Sequence, residues 1–501
     1  MIRWVLFSLL LTAAVPQEVT KPPRPSIVIL LADDLGFSDL GCYGSEISTP
    51  NLDRLAKGGL RFTQFYNTTR CCPSRASLLT GLYPHQAGMG HMVEGRPQPA
   101  YQGFLNDRCV TMAEVLRGAG YRTLMSGKWH VGEKRPHWPV DRGFDRYFGL
   151  ISGASNYFKL EKGRTMAMDG EPWTPPAEGF YMTDAIADHA VRFIDEAKGK
   201  PMFLYVAFTA PHWPLHAPPE EIAKYRGKYR DGWDALRERR HQKQVELGIV
   251  DSKWPLTPRD EKAPAWTDVK DADGRDLRMA VYAAQVDRLD QQIGRILAKL
   301  DQNTLVFFLS DNGGCAEEIH RGQKGAEIGT VDSFESYGLP WANASNTPFR
   351  LYKHWVHEGG IATPLIVSWP AVIKTGGTIT DQPGHLIDLM ATCVDVAEAE
   401  YPKTFQGREI TPLEGKSLVP VFRTGTREGH AAIFWEHEGN KAIRKGKWKL
   451  VARHKAAWEL FDLGADRTEM TNLLTQEPER AKEMAAEWEK WAGKVGVEPW
   501  K

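Results

Sequence analysis

The chain has 501 residues, room for two to three domains of about 150 residues each. Its 63 Lys+Arg balance 63 Asp+Glu, and 42% of residues are apolar. That composition excludes wholesale disorder and gives no sign of a general polyanion binder, so no nucleic-acid partner is expected.

The N-terminus sets the expected compartment. Met1-Ile2-Arg3 carries one positive charge, Trp4 to Leu11 is apolar, and Thr12-Ala13-Ala14 are small. This is the pattern of a cleaved secretory signal over residues 1–15, too short for a permanent membrane helix. No later segment approaches the length of a span, so the mature protein is expected to be soluble and exported, periplasmic or secreted, with no membrane partner. The six cysteines (Cys42, Cys71, Cys72, Cys109, Cys315, Cys393) show neither zinc spacing nor the density of a disulfide scaffold.

Next comes a series of short apolar runs that end abruptly in polar residues. Ser26–Ala32 runs into Asp33-Asp34, Met202–Phe208 into Thr209-Ala210-Pro211-His212, and Thr304–Leu309 into Ser310-Asp311-Asn312-Gly313; Thr363–Ser368 is a fourth. Continuous apolar runs are the mark of strands covered on both faces. Helices are predicted between them. Pro50 to Lys57 has Thr49 as cap and Gly58-Gly59 as stop, Thr111 and Glu114 form a capping box, and Met279, Tyr282, Val286, Leu289, Ile293, Ile296 and Leu300 share one helical face. Pro218 to Lys270, dense in charge and Trp, is expected as an insertion on the rim with a helix around Trp233 to Leu247. After about Gly429 short strands and a Glu/Lys-rich helix predict a separate subdomain. The expectation is an α/β fold, a mostly parallel sheet sandwiched by helices over 24–428, with a smaller C-terminal α+β subdomain over 429–501.

In such sheets ligands gather beyond the carboxyl ends of the strands. Asp33, Asp34, Asp311 and Asn312 lie at two of those ends, and an all-oxygen donor set suits Ca²⁺ or Mg²⁺ rather than zinc. The most specific segment is Cys71-Cys72-Pro73-Ser74-Arg75-Ala76-Ser77-Leu78-Leu79-Thr80-Gly81. Pro73 in a first helical turn places Cys71 near the positive end of a helix, where anions bind and nucleophiles are activated, with Arg75 one turn inside.

This string resembles the signature of the sulfatase family, Cys-x-Pro-Ser-Arg followed by x-x-x-Leu-Thr-Gly, and in particular its arylsulfatase branch. Ala32 to Gly36, Gly127-Lys128-Trp129-His130, Ala210-Pro211-His212, Ser310 to Gly313 and Lys353 to Gly360 resemble further family motifs. The resemblance implies an alkaline-phosphatase-like fold and a single divalent ion, Ca²⁺ in preference to Mg²⁺, on Asp33, Asp34, Cys71, Asp311 and Asn312. It also implies that a maturation enzyme oxidises Cys71, not Cys72, to formylglycine. Arg75, Lys128 and Lys353 would then supply positive charge to the sulfate oxygens, His212 would protonate the departing alcohol or phenol, and His130 would take the proton that frees sulfate.

The expected activity is sulfuric ester hydrolysis of a small sulfated aryl or sugar ester. A phosphodiester or phosphonate monoester hydrolase, and a sulfated-glycan-specific sulfatase, are the alternatives on the same site; a binding protein would follow if Cys71 stays a thiol. Trp129, Trp138 and Trp173 are candidate walls for a substrate ring. His216, His354 and His357 carry no comparable warrant. The sequon Asn67-Thr68-Thr69 lies too near Cys71 to suit a glycan.

Overall fold

The computed structural model describes residues 24–197 and 199–501, so the expected signal segment lies outside the described residues. Eleven strands form the main sheet. They are β1 (Ser26–Ala32), β2 (Leu60–Tyr66), β3 (Arg122–Gly127), β4 (Arg146–Leu150), β5 (Met166–Met168), β6 (Glu171–Trp173), β7 (Met202–Ala207), β8 (Thr304–Ser310), β9 (Ala362–Ser368), β10 (Thr378–Thr380) and β11 (Gly384–His385). The order is β10-β2-β9-β8-β1-β7-β3-β4-β5-β6, with β11 also on β2. The centre is parallel: β1 pairs with β7 and β8, and β3 with β7 and β4. β9 runs antiparallel between β2 and β8, which makes the sheet mixed but mostly parallel.

Every residue of β7, β8 and β9 is buried. Their apolar runs therefore divide between two cores, one on each face. The first includes Val28, Leu30, Leu204, Val206 and the Ala272–Leu297 helix, and the second Ile27, Ile29, Leu31, Phe203 and Phe307. The 26-residue helix presents Met279, Tyr282, Val286, Leu289, Ile293 and Ile296 to the first core, as its period predicts.

The other seven strands of the main sheet, β2 to β6, β10 and β11, were not among the four runs read from the sequence. The Pro218–Lys270 region does not sit loosely on the rim. Its helix (Gly232–Glu246) buries Arg237, Arg240 and Gln244. Arg240 donates to Asp39 Oδ1 at 2.6 Å and to Glu46 Oε2 at 2.9 Å, which fixes the loop after β1.

β12 (Thr404–Phe405) and β13 (Arg408–Glu409) form a separate two-stranded hairpin, and the C-terminal sheet is an antiparallel run of β14 (Ile433–His437), β15 (Asn440–Lys445), β16 (Trp448–Ala452) and β17 (Glu459–Asp462). The Pro478–Val495 helix packs on it through Met484, Trp488 and Trp491. Among the described residues the cysteines are unpaired, and no helix is long and apolar enough to cross a membrane.

Candidate active site

The carboxyl ends of β2, β3, β7, β1 and β8 open onto one place. Asp33 and Asp34 follow β1, Lys128 and His130 follow β3, His212 follows β7, and Asp311 and Asn312 follow β8. β2 leads into the Cys71–Thr80 helix, which is buried along its whole length, with Cys71 its first residue and Gly81 ending it in left-handed conformation. Lys353 arrives from the loop before β9. At Gly127 the chain passes so close to β7 that an added Cβ would lie 1.9 Å from the Ala207 carbonyl oxygen, at φ +121°. Only glycine lets Lys128 leave the sheet there. Asp34 and His130 themselves hold φ of 66° and 55°, backbone strain of the kind concentrated at functional sites.

The buried charges interlock. Lys128 Nζ donates to Asp33 Oδ2 at 2.6 Å. Lys353 Nζ lies 2.8 Å from Asp34 Oδ1. Arg75 donates through Nη2 to Asp311 Oδ2 at 2.8 Å and through Nη1 to the Lys128 carbonyl at 2.9 Å. His212 Nε2 lies 3.5 Å from Asp34 Oδ2, while its Nδ1 is 2.6 Å from the Trp213 carbonyl, which assigns the Nδ1 proton to that bond. Burial opposes ionisation of Asp33, but Lys128, His212, Arg75 and Lys353 outweigh it and hold the carboxyl well below its usual range. Asp311 moves the other way, because burial and the neighbouring Asp33 charge exceed what Arg75 offsets. Burial, then Lys128 and Arg75, push His130 well below the usual imidazole range. Burial also lowers His212, opposed by Asp34.

Asp33, Asp34, Cys71 and His212 each present a donor atom within 4.8 Å of the others. Asp311 joins through its Oδ1, which accepts from the Asp34 backbone N–H at 3.2 Å, and Asn312 through its amide, 2.6 Å from Asp34 Oδ1. Two buried oxygens, Asp33 Oδ1 and Asn312 Oδ1, have no hydrogen-bond partner. Orphaned acceptors and mutually repelling carboxylates in one spot fit a hard divalent cation. All the residues proposed from sequence for catalysis and metal binding therefore line one region.

A sulfatase profile matches residues 25–399, and a profile for the C-terminal region of N-sulphoglucosamine sulphohydrolase matches residues 349–492. The chain belongs to the sulfatase family. It is a sulfuric ester hydrolase, and the comparisons do not favour the phosphodiester or phosphonate alternative. This sulfatase is 36% identical to an uncharacterised sulfatase of Schizosaccharomyces pombe, over 96% of each chain. It is 34% identical to the arylsulfatase of Klebsiella aerogenes, covering 83% of this chain and 96% of that one. Among solved structures, Ps i-CgsB in complex with a neocarrahexaose superposes with a TM-score of 0.69 at 27% identity, over 94% of this chain and 93% of that one. Sulfatases generally use formylglycine and a divalent metal, and the buried acidic cluster around Cys71 is consistent with both.

The tryptophan expectation is corrected. Trp129 is wholly buried, with its indole N–H on the His137 carbonyl. Trp138 is buried with its indole on the Glu133 carbonyl, and Trp173 packs on Phe148 and Phe180. The ring beside the site is Trp213, with its centroid 4.6 Å from that of His212. Its indole donates to Glu317 Oε2 at 2.8 Å, and Arg70 donates to Glu317 Oε1 at 3.0 Å. Burial opposes ionisation of Glu317, but Lys353 and Arg70 take its pKa down to about 2. Trp213 follows His212 directly, so proximity was its only signal; Glu317 and Arg70 had none. His357 is buried and bonds Glu459 instead of entering the pocket. Asn67 is buried, its Oδ1 accepting from the Thr69 N–H, so it presents no glycan site.

Proposed function

We propose that this sulfatase is an exported, Ca²⁺-dependent enzyme that cleaves small sulfated aryl or sugar esters, using formylglycine made from Cys71 by a maturation enzyme. One observation carries the reading: cationic and proton-carrying side chains from separate strand ends converge on the Asp33–Asp34 pair and the first residue of the Cys71 helix. The likeness to the Klebsiella aerogenes arylsulfatase supports aryl esters, and that to Ps i-CgsB, solved with a carbohydrate, supports sugars. The pattern of residues 1–15 supports export.

A sulfate ester is anionic, so its approach needs positive charge placed beforehand. Lys128 and Lys353, held by Asp33 and Asp34, point fixed ammonium groups at the sulfate oxygens. Arg75 anchors Asp311 and the Lys128 backbone, and so holds the donor set in register. Ca²⁺ on Asp33, Asp34, Asp311, Asn312 and residue 71 would add Lewis-acid charge. Formylglycine at position 71 would supply the attacking hydroxyl. His212, its Nδ1 fixed by the Trp213 carbonyl, turns Nε2 to the leaving oxygen and gives it a proton. A bound sulfate ester places negative charge beside His212 and raises its proton affinity. His130, neutral and with Nδ1 unpartnered, accepts the proton released as sulfate departs.

Matured enzyme tested on aryl sulfate and sulfated sugars should release sulfate, and the Cys71 peptide should carry the mass of an aldehyde in place of the thiol. A thiol mass in active enzyme would overturn the formylglycine reading. His212→Ala is expected to cut turnover about 10²-fold on a sugar sulfate, whose alkoxide is a poor leaving group, and far less on nitrophenyl sulfate. Equal losses on both substrates would remove His212 from that role. Stripping the enzyme with chelator should abolish turnover and lower Tm, with Ca²⁺ restoring both at lower concentration than Mg²⁺.

A further inference from the structure

A second group of ligand-type side chains sits where the hairpin between β14 and β15 meets the loop that carries His91. His91, His437 and Glu438 each present a donor atom, all within 4.8 Å of one another. Glu438 Oε1 lies 3.4 Å from His91 Nδ1 and 3.6 Å from His437 Nε2. Its other oxygen lies 3.1 Å from His354 Nδ1. A tetrahedral ion with nitrogen and oxygen ligands separates its donor atoms by about 3.4 Å. We propose that His91, His437 and Glu438 form a second metal site, selective for a borderline divalent cation of the Zn²⁺ type and separate from the oxygen-rich site at Asp33.

The chain is folded to bring these groups together at some cost. Glu438 occupies the hairpin turn with φ of 51°, where Asn, Asp or Gly is the usual choice. Gly439 follows at φ +78°, and an added Cβ there would meet the His454 ring at 2.1 Å. The Gly439 N–H donates to Glu436 Oε1 at 2.8 Å, which closes the turn. His354 likewise sits at φ 89°. Such conformations persist where the surrounding structure imposes them.

His437 is fully buried, yet neither of its ring nitrogens has a hydrogen-bond partner, and His91 Nδ1 has none. A buried imidazole is normally satisfied, and His437 Nε2 and His91 Nδ1 both face one oxygen of the Glu438 carboxylate. An ordinary ion pair would need a protonated ring with two N–H groups to place. A metal ion would instead take the lone pair of a neutral ring nitrogen. Two imidazoles with one carboxylate favour Zn²⁺ over Ca²⁺ and leave a fourth position for water. Of the arginines around the group, Arg70 is committed to Glu317 at 3.0 Å and Arg96 lies over the Trp500 ring at 4.1 Å. His354 would hold the second carboxylate oxygen, as outer partners of metal ligands do. His354 directly follows Lys353, and its N–H donates to the Thr69 carbonyl at 3.1 Å. An ion here would tie the lysine-bearing loop and the segment holding His91 to the C-terminal sheet.

The test uses the full chain, stripped with chelator, reloaded with saturating Ca²⁺, then titrated with Co²⁺ and Zn²⁺. Expected are one Co²⁺ per chain with the visible absorption of a four- or five-coordinate nitrogen–oxygen site, its displacement by Zn²⁺, and a Zn²⁺-dependent rise in Tm. His437→Ala, Glu438→Gln and the partly exposed His91→Asn should each weaken binding by at least about tenfold. His91→Asn should keep the Ca²⁺-loaded Tm, which separates loss of a ligand from loss of fold. No Co²⁺ band at micromolar concentration on the wild-type chain, or binding unchanged in His91→Asn and Glu438→Gln, would overturn the proposal. Neither result bears on sulfate release, which depends on the Cys71 site.

Discussion

Cys71→Ala is expected to reduce sulfate release by about 10⁴–10⁶-fold, the scale seen when a nucleophile is removed and only binding and charge stabilisation remain. Cys72→Ala should leave turnover near wild type and cost about 1–2 kcal/mol of stability. The two positions differ in what surrounds them. Cys71 opens the helix, beside the donor atoms of Asp33, Asp34 and His212. Cys72 is turned into the apolar core. Alanine at position 71 suits a first helical turn and removes no packing partner of that core, so its Tm should stay close to wild type. Steady-state release from an aryl sulfate, paired with thermal melts, distinguishes the two. Full turnover in Cys71→Ala, or loss in Cys72→Ala at unchanged Tm, would reverse the assignment.

How far this could be read from the chain depended on whether a residue's surroundings leave a trace in its neighbours. β1, β7 and β8 are legible because both faces are covered, so their runs are unbroken and their polar terminators stand out. That is why Asp33, Asp34, His212, Asp311 and Asn312 could be named together. β2 was hidden by Arg61 and Gln64 on its less buried positions, and β15 by Lys441, Arg444 and Lys445. Arg444 is in fact buried, with its guanidinium on the Tyr66 hydroxyl at 2.6 Å. Charge density reads as solvated surface, and pairing defeats that reading, as Arg240 also shows with Asp39 and Glu46. Depth was illegible for the same reason: nothing in Gly127-Lys128-Trp129-His130 says that the lysine and the histidine face the site while the indole between them packs into the core.

The largest effect on stability is expected where the two sheets meet. Glu358, in the four-residue turn before β9, is fully buried and accepts from Tyr66 Oη at 3.0 Å, Lys449 Nζ at 2.9 Å and Arg467 Nε at 3.0 Å. Lys449 also lies 2.8 Å from Glu469 Oε1. Lys449, Arg467 and Glu469 belong to the C-terminal part and Glu358 to the main sheet, so one carboxylate joins the two. Burial opposes its ionisation, but Lys449, Arg467 and Arg444 prevail and take its pKa down to about 2. Glu358→Gln should therefore cost about 3–5 kcal/mol at pH 7, because it leaves buried cations without their counter-charge. The pH dependence has a definite sign. A carboxyl depressed in the folded state contributes stability that is complete above its unfolded pKa, about 4.3. That contribution fades as pH falls towards 2. Urea unfolding of wild type and Glu358→Gln should thus show its widest gap at pH 7, narrowing between pH 5 and pH 3. The loss should appear first in the C-terminal sheet, as faster amide exchange over β14 to β17, because those strands lose their buried tie to β9. A gap independent of pH would mean that the substitution acts through packing and that the charge of Glu358 contributes nothing.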